Sequence, residues 1–446
     1  MIEHNKTISA TIYPASKLEG IINVPGDKSI SHRLAMLAAF SQGKSIIKGF
    51  LKSEDCCNTV RAFTEMKVKA NYEQNTLCIE GSEWQMPQKA LDMGNSGTSM
   101  RLLSGLLAAK PDWITTLTGD SSLSNRPMKR IKEPLELMGA QIELLGKDGR
   151  PPIKIKGTNL KAIHYPSPVA SAQVKSCILL AALFAKGTTV YTEKLPTRDH
   201  TELLFSKLNI SIKIKNSTIE LEGYGAKGPD IKGRTWQVPG DFSSAAFWLV
   251  AASILKNSHI TLKGVGLNPK RTALLNVLNR MGANVIAREI EDEESPEATG
   301  EINCQSSKMK GCNVGGTEIP NLIDELPITA VAAAFAEGTT VIKDASELRV
   351  KESDRIACMV KNIKLSGFDA EELPDGMIIK GGKKRKAATT VESFGDHRIA
   401  MSMAILALAS DEPLTINNVG CVATSYPGFW DDIRKSGGKV ELNYSN

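Results

Sequence analysis

The tetrapeptide Val24-Pro25-Gly26-Asp27 recurs as Val238-Pro239-Gly240-Asp241, and an apolar, alanine-rich segment follows each copy. Such a recurrence divides the chain into two similar halves and constrains the fold more than any local propensity does. Within each half a shorter unit recurs about every 70 residues. A small or polar cluster opens an apolar helix; a strand, an amphipathic helix and two short strands follow. The first helices are expected near Lys28, Gly97, Ser171, Ser243, Leu326 and His397, and second helices over Cys56 to Met66, Thr201 to Leu208, Pro269 to Met281 and Glu352 to Leu365. The expected fold is α/β: two similar domains, each of three βαβαββ units. Residues 1–23 with 241–446 would form one domain, and residues 24–240 the other.

The two kinds of helix differ in pattern. Cys177 to Phe184, Ala245 to Ala252 and Ile405 to Ala409 are apolar on every side, so protein must surround them. The second helices carry charges on one face, as in Arg271 to Arg280, and belong outside. Sheets around a buried bundle of parallel helices satisfy both demands. The bundle's N-termini would then collect on one side of each domain, and two facing halves would aim their positive helix ends at a shared cleft.

The composition is 41% hydrophobic and 23% charged, that of a globular protein. The net charge of +6, from 55 basic and 49 acidic residues, suits small anionic substrates. It lacks the long basic stripe and interleaved aromatics of a nucleic-acid binder. Lys383-Lys384-Arg385-Lys386 reads as a solvated loop. The acidic stretch Glu289 to Glu301 reads as an exposed hairpin or loop without chemistry. No apolar run approaches the ~18 residues of a membrane span, and no signal peptide is recognisable. The eight cysteines show neither CxxC nor Cys/His ligand spacing, so no metal or disulfide framework is expected. The expected compartment is the cytoplasm.

At the six helix starts, polar caps and cations recur together. They are Lys28, Ser29 and Arg33; Gly94-Asn95-Ser96-Gly97-Thr98 with Arg101; Ser171-Ala172-Gln173 with Lys175; Asp241-Phe242-Ser243-Ser244; Asp324-Glu325; and Asp396-His397-Arg398. Second-helix starts add Arg126, Arg198-Asp199-His200 and Lys351-Glu352-Ser353-Asp354-Arg355. Any one cluster is an ordinary cap. Cations beside nearly all of them oppose the helix dipole and call for substrates with several negative charges, which arginine binds in bidentate fashion. P-loop GxxxxGK[ST] spacing is absent around Lys28-Ser29, and no Rossmann GxGxxG follows a first strand. Asp324 and Glu352 are the acid–base candidates.

Gly26-Asp27-Lys28-Ser29-Ile30-Ser31-His32-Arg33, Gly94-Asn95-Ser96-Gly97-Thr98, Arg126-Pro127-Met128, Ser171-Ala172-Gln173-Val174-Lys175, Arg349 to Arg355 and Asp396-His397-Arg398 resemble the motifs of 5-enolpyruvylshikimate-3-phosphate (EPSP) synthases over the whole chain. Gly-Asp-Lys, Ser-Ala-Gln-Val-Lys and Arg198-Asp199-His200-Thr201-Glu202 are similar to the family's second class. The resemblance implies enolpyruvyl transfer from phosphoenolpyruvate to the 5-hydroxyl of shikimate 3-phosphate, with release of phosphate and with neither cofactor nor metal. It implies that Lys28, Ser29, Arg33, Ser171, Ala172, Gln173, Arg198, Asp324 and Lys351 hold shikimate 3-phosphate. Lys28, Gly97, Arg126, Gln173, Arg355 and Arg398 would hold phosphoenolpyruvate. Asp324 would take the hydroxyl proton, and Glu352, with Lys28 nearby, would protonate the methylene carbon. Gly97 stands where an alanine in some second-class members crowds out glyphosate, so inhibition by glyphosate is implied. Many members carry a lysine where this chain has Ala423-Thr424-Ser425, so one phosphate contact is absent or supplied elsewhere. A monomer is expected.

Two rival readings are a UDP-N-acetylglucosamine enolpyruvyl transferase and a non-catalytic anion-binding protein. The first resembles the chain around Arg126-Pro127 but needs a reactive cysteine just before it, and Asp120 to Asn125 contains none. The second would gain nothing from Asp324 and Glu352 facing its anions.

Overall fold

The structure, a computed structural model, describes residues 7–382 and 389–444. The basic run 383–386 lies outside them. Six four-stranded sheets carry the described chain. The unit is uninterrupted from Leu91 to Lys156: strand Leu91–Asp92, helix Gly97–Ala108, strand Ile114–Thr118, helix Lys129–Leu137, strands Gln141–Gly146 and Arg150–Lys156. The first two strands pair in parallel and the last two join antiparallel. The other sheets repeat this order.

Where the chain passes between halves, strands distant in sequence complete the units. Thr235–Gln237 pairs in parallel with Gly43–Lys48, and Glu19–Ile22 pairs in parallel with His259–Gly266. Thr7–Tyr13 lies between Leu414–Asn417 and Lys439–Tyr444, antiparallel to both. Two compact units result. One comprises residues 1–25, 239–292 and 298–446; the other comprises 26–238 together with 293–297.

The tetrapeptide repeat has a reciprocal steric cause. A Cβ on Gly26 would meet the Gly49 carbonyl oxygen at 2.0 Å and Val238 Cγ1 at 3.1 Å. A Cβ on Gly240 would meet Val24 Cγ2 at 2.8 Å. In each unit the valine of one passage packs against the glycine of the other; at 26 the Gly49 carbonyl admits only glycine, and at 240 a side chain would have to displace Val24. The aspartates then cap helices: Asp27 accepts from the Ile30 N–H at 2.9 Å and Asp241 from that of Ser243 at 2.8 Å.

Six apolar helices form the cores. In the 26–238 unit they are α1 (Lys28–Phe40), α2 (Gly97–Ala108) and α3 (Ala172–Ala182). In the other unit they are α4 (Phe242–Ile254), α5 (Leu326–Phe335) and α6 (His397–Leu408). Ala172–Ala182 is buried from Val174 onward, and α4 is buried from Phe242 to Ser253, as their all-round apolar pattern requires. Helices α2 and α3 run side by side in the same direction. Gln173 bonds Thr98 at their N-terminal ends, and further along a Cβ on Gly105 would stand 2.2 Å from the Cys177 carbonyl. Charged second helices lie outside this core: Glu54–Glu65, His200–Lys207, Ala273–Arg280 and Arg355–Leu365.

Three expectations need correction. The helix anticipated from Pro269 begins only at Ala273, after a turn. The helix anticipated from Glu352 begins at Arg355, because Asp354 accepts from the Ala357 N–H at 3.1 Å and caps it there. Lys351 and Glu352 therefore lie in irregular chain. The acidic stretch is a hairpin, Asn284–Ile290 with Thr299–Gln305, exposed over residues 286–293 as expected, but Ser295, Pro296 and Glu297 are buried. The Gln237 N–H donates to Glu294 O and the Glu297 carboxylate contacts His200 Nδ1, pairings that pattern alone does not reveal.

Gly26→Ala should lower the unfolding midpoint, by an amount on the order of the 1–3 kcal/mol typical of overpacking. Thermal or urea unfolding followed by circular dichroism measures it. An unchanged midpoint would show that the close approach at Gly49 relaxes freely.

Candidate active site

In the 26–238 unit the polar residues concentrate at the starts of α1, α2 and α3. Lys28 and Ser29 are half-buried at the start of α1, and Lys28 Nζ lies 2.5 Å from the buried Asp55 carboxylate. His32, one turn on, has Nδ1 2.7 Å from Thr59 Oγ1. Burial, reinforced by Lys28 and Arg33, holds the His32 pKa well below its usual value, so the imidazole is neutral. Arg33 joins three helices: it donates to Thr201 Oγ1 at 2.8 Å, Ser29 O at 2.9 Å and Ser176 Oγ at 2.6 Å. Its burial pulls the pKa down to about 10 against the opposing charges of Glu202, Asp27 and Glu297, while Arg198 adds to the fall. It remains a cation at neutral pH.

Two guanidinium groups converge on the start of α2. A Cβ on Gly97 would stand 3.0 Å from Arg126 Nη1 and 3.2 Å from Arg101 Nη1. Asn95 Oδ1 accepts from Arg126 at 2.6 Å. Gln173 accepts from Arg101 and donates to Thr98 Oγ1 at 2.9 Å, which joins the α2 and α3 starts. Ser171 caps α3 by accepting from the Val174 N–H at 3.4 Å, and Ser171, Ala172 and Gln173 are half-buried. Backbone N–H groups, a positive helix end and fixed cations make this a setting for polyanions.

Lys175 does not join that face. Its side chain has no exposure and lies 2.5 Å from Glu202 and 2.9 Å from Glu193. Burial raises the Glu202 pKa, and Lys175 opposes the rise. Glu193 also accepts from the Thr197 N–H at 3.0 Å and from its hydroxyl at 2.6 Å. Lys175 thus serves to hold the chain that leads into Arg198.

The second unit gathers its candidates around Arg355. This guanidinium is buried and donates to Asp396 at 2.8 Å, Glu352 at 2.6 Å and Asp324 at 3.2 Å. Burial alone would lower its pKa, but Asp396, Glu352 and Asp324 together raise it above the ordinary value. Arg398 donates to the Asp324 carbonyl at 3.1 Å and brings Nε within 3.5 Å of its carboxylate. Lys351 Nζ lies 4.0 Å from the same carboxylate. Asp324, Lys351, Glu352, Arg355 and Arg398 therefore form one cluster at the starts of α5 and α6, where half-buried carboxylates meet cations. The Thr424 hydroxyl, at the position of the absent lysine, donates to Cys421 O at 2.7 Å.

Several residues that shape these groups were not apparent in sequence. Asp55 follows Ser53-Glu54, where carboxylates are routine helix-start residues. Glu193 has no motif around it, and Glu297 sits in a stretch whose acidity suggested solvent. Asp396 caps α6 through the Arg398 N–H at 2.9 Å and also neutralises Arg355, a second role its cap pattern hides. Among the described residues no His, Cys, Asp and Glu cluster could hold a metal ion.

This repeat order and these cationic helix starts define an enolpyruvyl-transferase fold. The enolpyruvyl transferase NikO from Streptomyces tendae has the same fold at only 16% identity, with a TM-score of 0.80 over 99% of this chain and 100% of that one. The match is closer within one family. The EPSP synthase (3-phosphoshikimate 1-carboxyvinyltransferase) family model matches residues 12–433, and the chain belongs to that family. A 3-phosphoshikimate 1-carboxyvinyltransferase from Synechococcus sp. strain JA-3-3Ab is 46% identical over 95% of this chain and 96% of its own length. One from Bacillus cytotoxicus is 45% identical over 95% and 99%. The EPSP synthase structure from Acinetobacter baumannii has a TM-score of 0.85 and 42% identity, covering 98% of this chain and 100% of that one.

Gly97→Ala tests the α2 start. The new methyl, 3.0 Å from Arg126 Nη1, crowds that guanidinium; if the α2 start takes phosphoenolpyruvate, KM for that substrate should rise severalfold while KM for shikimate 3-phosphate changes little. Equal rises in both would show that the methyl disturbs the whole unit.

Proposed function

We propose that the chain transfers the enolpyruvyl group of phosphoenolpyruvate to the 5-hydroxyl of shikimate 3-phosphate, a step of aromatic amino acid biosynthesis. The observation that carries this reading is the Asp324 carboxylate held among Arg355, Arg398 and Lys351 at 3.2–4.0 Å. A protein that only bound anions would be weakened by that carboxylate, whereas a transferase needs a base beside its anion-binding cations.

In this reading Ser29, Arg33, Ser171, Ala172, Gln173, Arg198 and Lys351 hold shikimate 3-phosphate, with Lys28 and Asp324 on its hydroxyls. Lys28, Gly97, Arg126, Gln173, Arg355 and Arg398 hold phosphoenolpyruvate. Asp324 accepts the 5-hydroxyl proton as that oxygen bonds to C2 of phosphoenolpyruvate. The π electrons of the C2–C3 bond take a proton from the protonated Glu352 carboxyl, with Lys28 assisting, and leave a tetrahedral adduct. Glu352 then removes a proton from the new methyl group; the C2–C3 double bond re-forms, the C2–O bond to phosphate breaks, and the departing phosphate takes up the proton that Asp324 had accepted. Orientation and charge stabilisation supply the rate. The reading takes the protein as a cytoplasmic monomer. No helix among the described residues is long and apolar enough to cross a membrane.

A phosphate-release assay tests the reading. Release should require both substrates together, and Asp324→Ala should reduce turnover by orders of magnitude while retaining affinity for shikimate 3-phosphate. No release with both substrates present would refute it. Glyphosate should inhibit in competition with phosphoenolpyruvate, because Gly97 leaves the α2 start unobstructed. Full activity at millimolar glyphosate and low phosphoenolpyruvate would contradict that expectation.

A further inference from the structure

The tip of the acidic hairpin is built into the 26–238 unit. The Gln237 N–H donates to Glu294 O at 2.9 Å, and Lys48 pairs with the Glu294 carboxylate at 2.8 Å. Ser295 Oγ donates to Glu297 O at 2.8 Å and accepts from the Glu297 N–H at 3.4 Å, which turns the chain inward. The Glu297 side chain is then 2% exposed and contacts Nδ1 of His200, also 2% exposed. Burying a carboxylate is unfavourable unless a specific partner compensates. A segment with this many acidic residues would otherwise remain in water, so the contact has to be specified.

His200 opens the outer helix His200–Lys207, two residues beyond Arg198. The stretch carrying Arg198 has no regular structure, and a cationic side chain on irregular backbone is placed only as well as that backbone's anchors place it. Upstream, Glu193 holds Thr197 by its N–H and hydroxyl. Downstream, Glu297 holds His200, and Thr201 accepts from Arg33. Arg198 is thus bracketed by two carboxylates, of which Glu297 arrives from a distant part of the sequence. Glu297 is also one of the charges that support the protonated state of Arg33.

We infer that Glu297 is a positioning residue for shikimate 3-phosphate: through its buried contact with His200 it fixes the backbone that presents Arg198 to the substrate's phosphate. The inference rests on the proposed role of Arg198 and extends it to a segment that carries none of the family motifs.

The test uses the full-length protein and the variants Glu297→Gln, Glu297→Asp and Arg198→Ala, with shikimate 3-phosphate binding by calorimetry and steady-state phosphate release. Glu297→Gln should weaken shikimate 3-phosphate binding and raise its KM by about tenfold, equivalent to ~1.4 kcal/mol, with kcat and KM for phosphoenolpyruvate within about twofold of wild type. Glu297→Asp keeps the charge and should show the same pattern in smaller measure, and it carries the test if the glutamine variant does not fold. Adding Arg198→Ala to either variant should cost less than adding it to wild type, since the two residues act on one contact. Unchanged affinity, or a lowered unfolding midpoint with all kinetic constants intact, would overturn the inference alone. Wild-type protein that binds no shikimate 3-phosphate would instead overturn the reading beneath it, and the inference with it.

Discussion

A helix that is apolar on every side can persist in water only if other protein covers its whole length. The rest of the structure depends on this constraint. Three such helices in each unit put the sheets and the charged helices outside. Only the helix ends remain for polar chemistry. In the 26–238 unit α1, α2 and α3 bring their starts together through Arg33 and Gln173, and the Ser176–Thr201 pair ties the outer helix His200–Lys207 to α3. In the other unit Ser243 meets Glu325, and Arg398 meets Asp324. Helix dipoles and unpaired N–H groups make such ends suited to anions before any side chain is chosen.

Cations placed there face a second problem, since each must stay charged while partly or wholly buried. The structure resolves it with carboxylates beneath them. Asp55 accompanies Lys28, and Asp396 and Glu352 accompany Arg355. Glu193 and Glu202 take up Lys175 completely. A buried charge is tolerated when it is paired and hydrogen-bonded. The same carboxylates fix side-chain directions, which is what orientation-driven catalysis requires. In this reading Asp324 and Glu352, both half-buried beside the Arg355 guanidinium, differ from the others because they also exchange protons with the substrates.

Much of this was legible in the chain itself. The Val-Pro-Gly-Asp repeat and the six helix starts gave the architecture, because periodic apolar segments and caps are local properties. Most helices begin within a residue or two of where their caps suggested, as Lys28, Gly97 and His397 show. What was not legible is long-range pairing. Lys175 looked like another cation at a helix start, and only its proximity to Glu193 and Glu202 shows that it is consumed in bracing. Glu352 looked helical because the cap at Asp354 competes with earlier starts that the pattern allows equally well. Glu297 looked solvated because acidity predicts exposure unless a partner such as His200, 97 residues away, offers to bury it. The reciprocal fit of Val24 with Gly240 and of Val238 with Gly26 explains the repeat after the fact, but no local rule predicts it.

The central claim is that helix starts of the 26–238 unit, with Arg198 beside them, form the shikimate 3-phosphate site. A crystal structure of the protein grown with shikimate 3-phosphate tests it most directly. The account predicts the substrate's phosphate at the start of α3, against Ser171 and the Arg198 guanidinium, with its ring within reach of Lys28 and Ser29. Substrate density centred elsewhere, with Ser171 and Arg198 both out of contact, would contradict it.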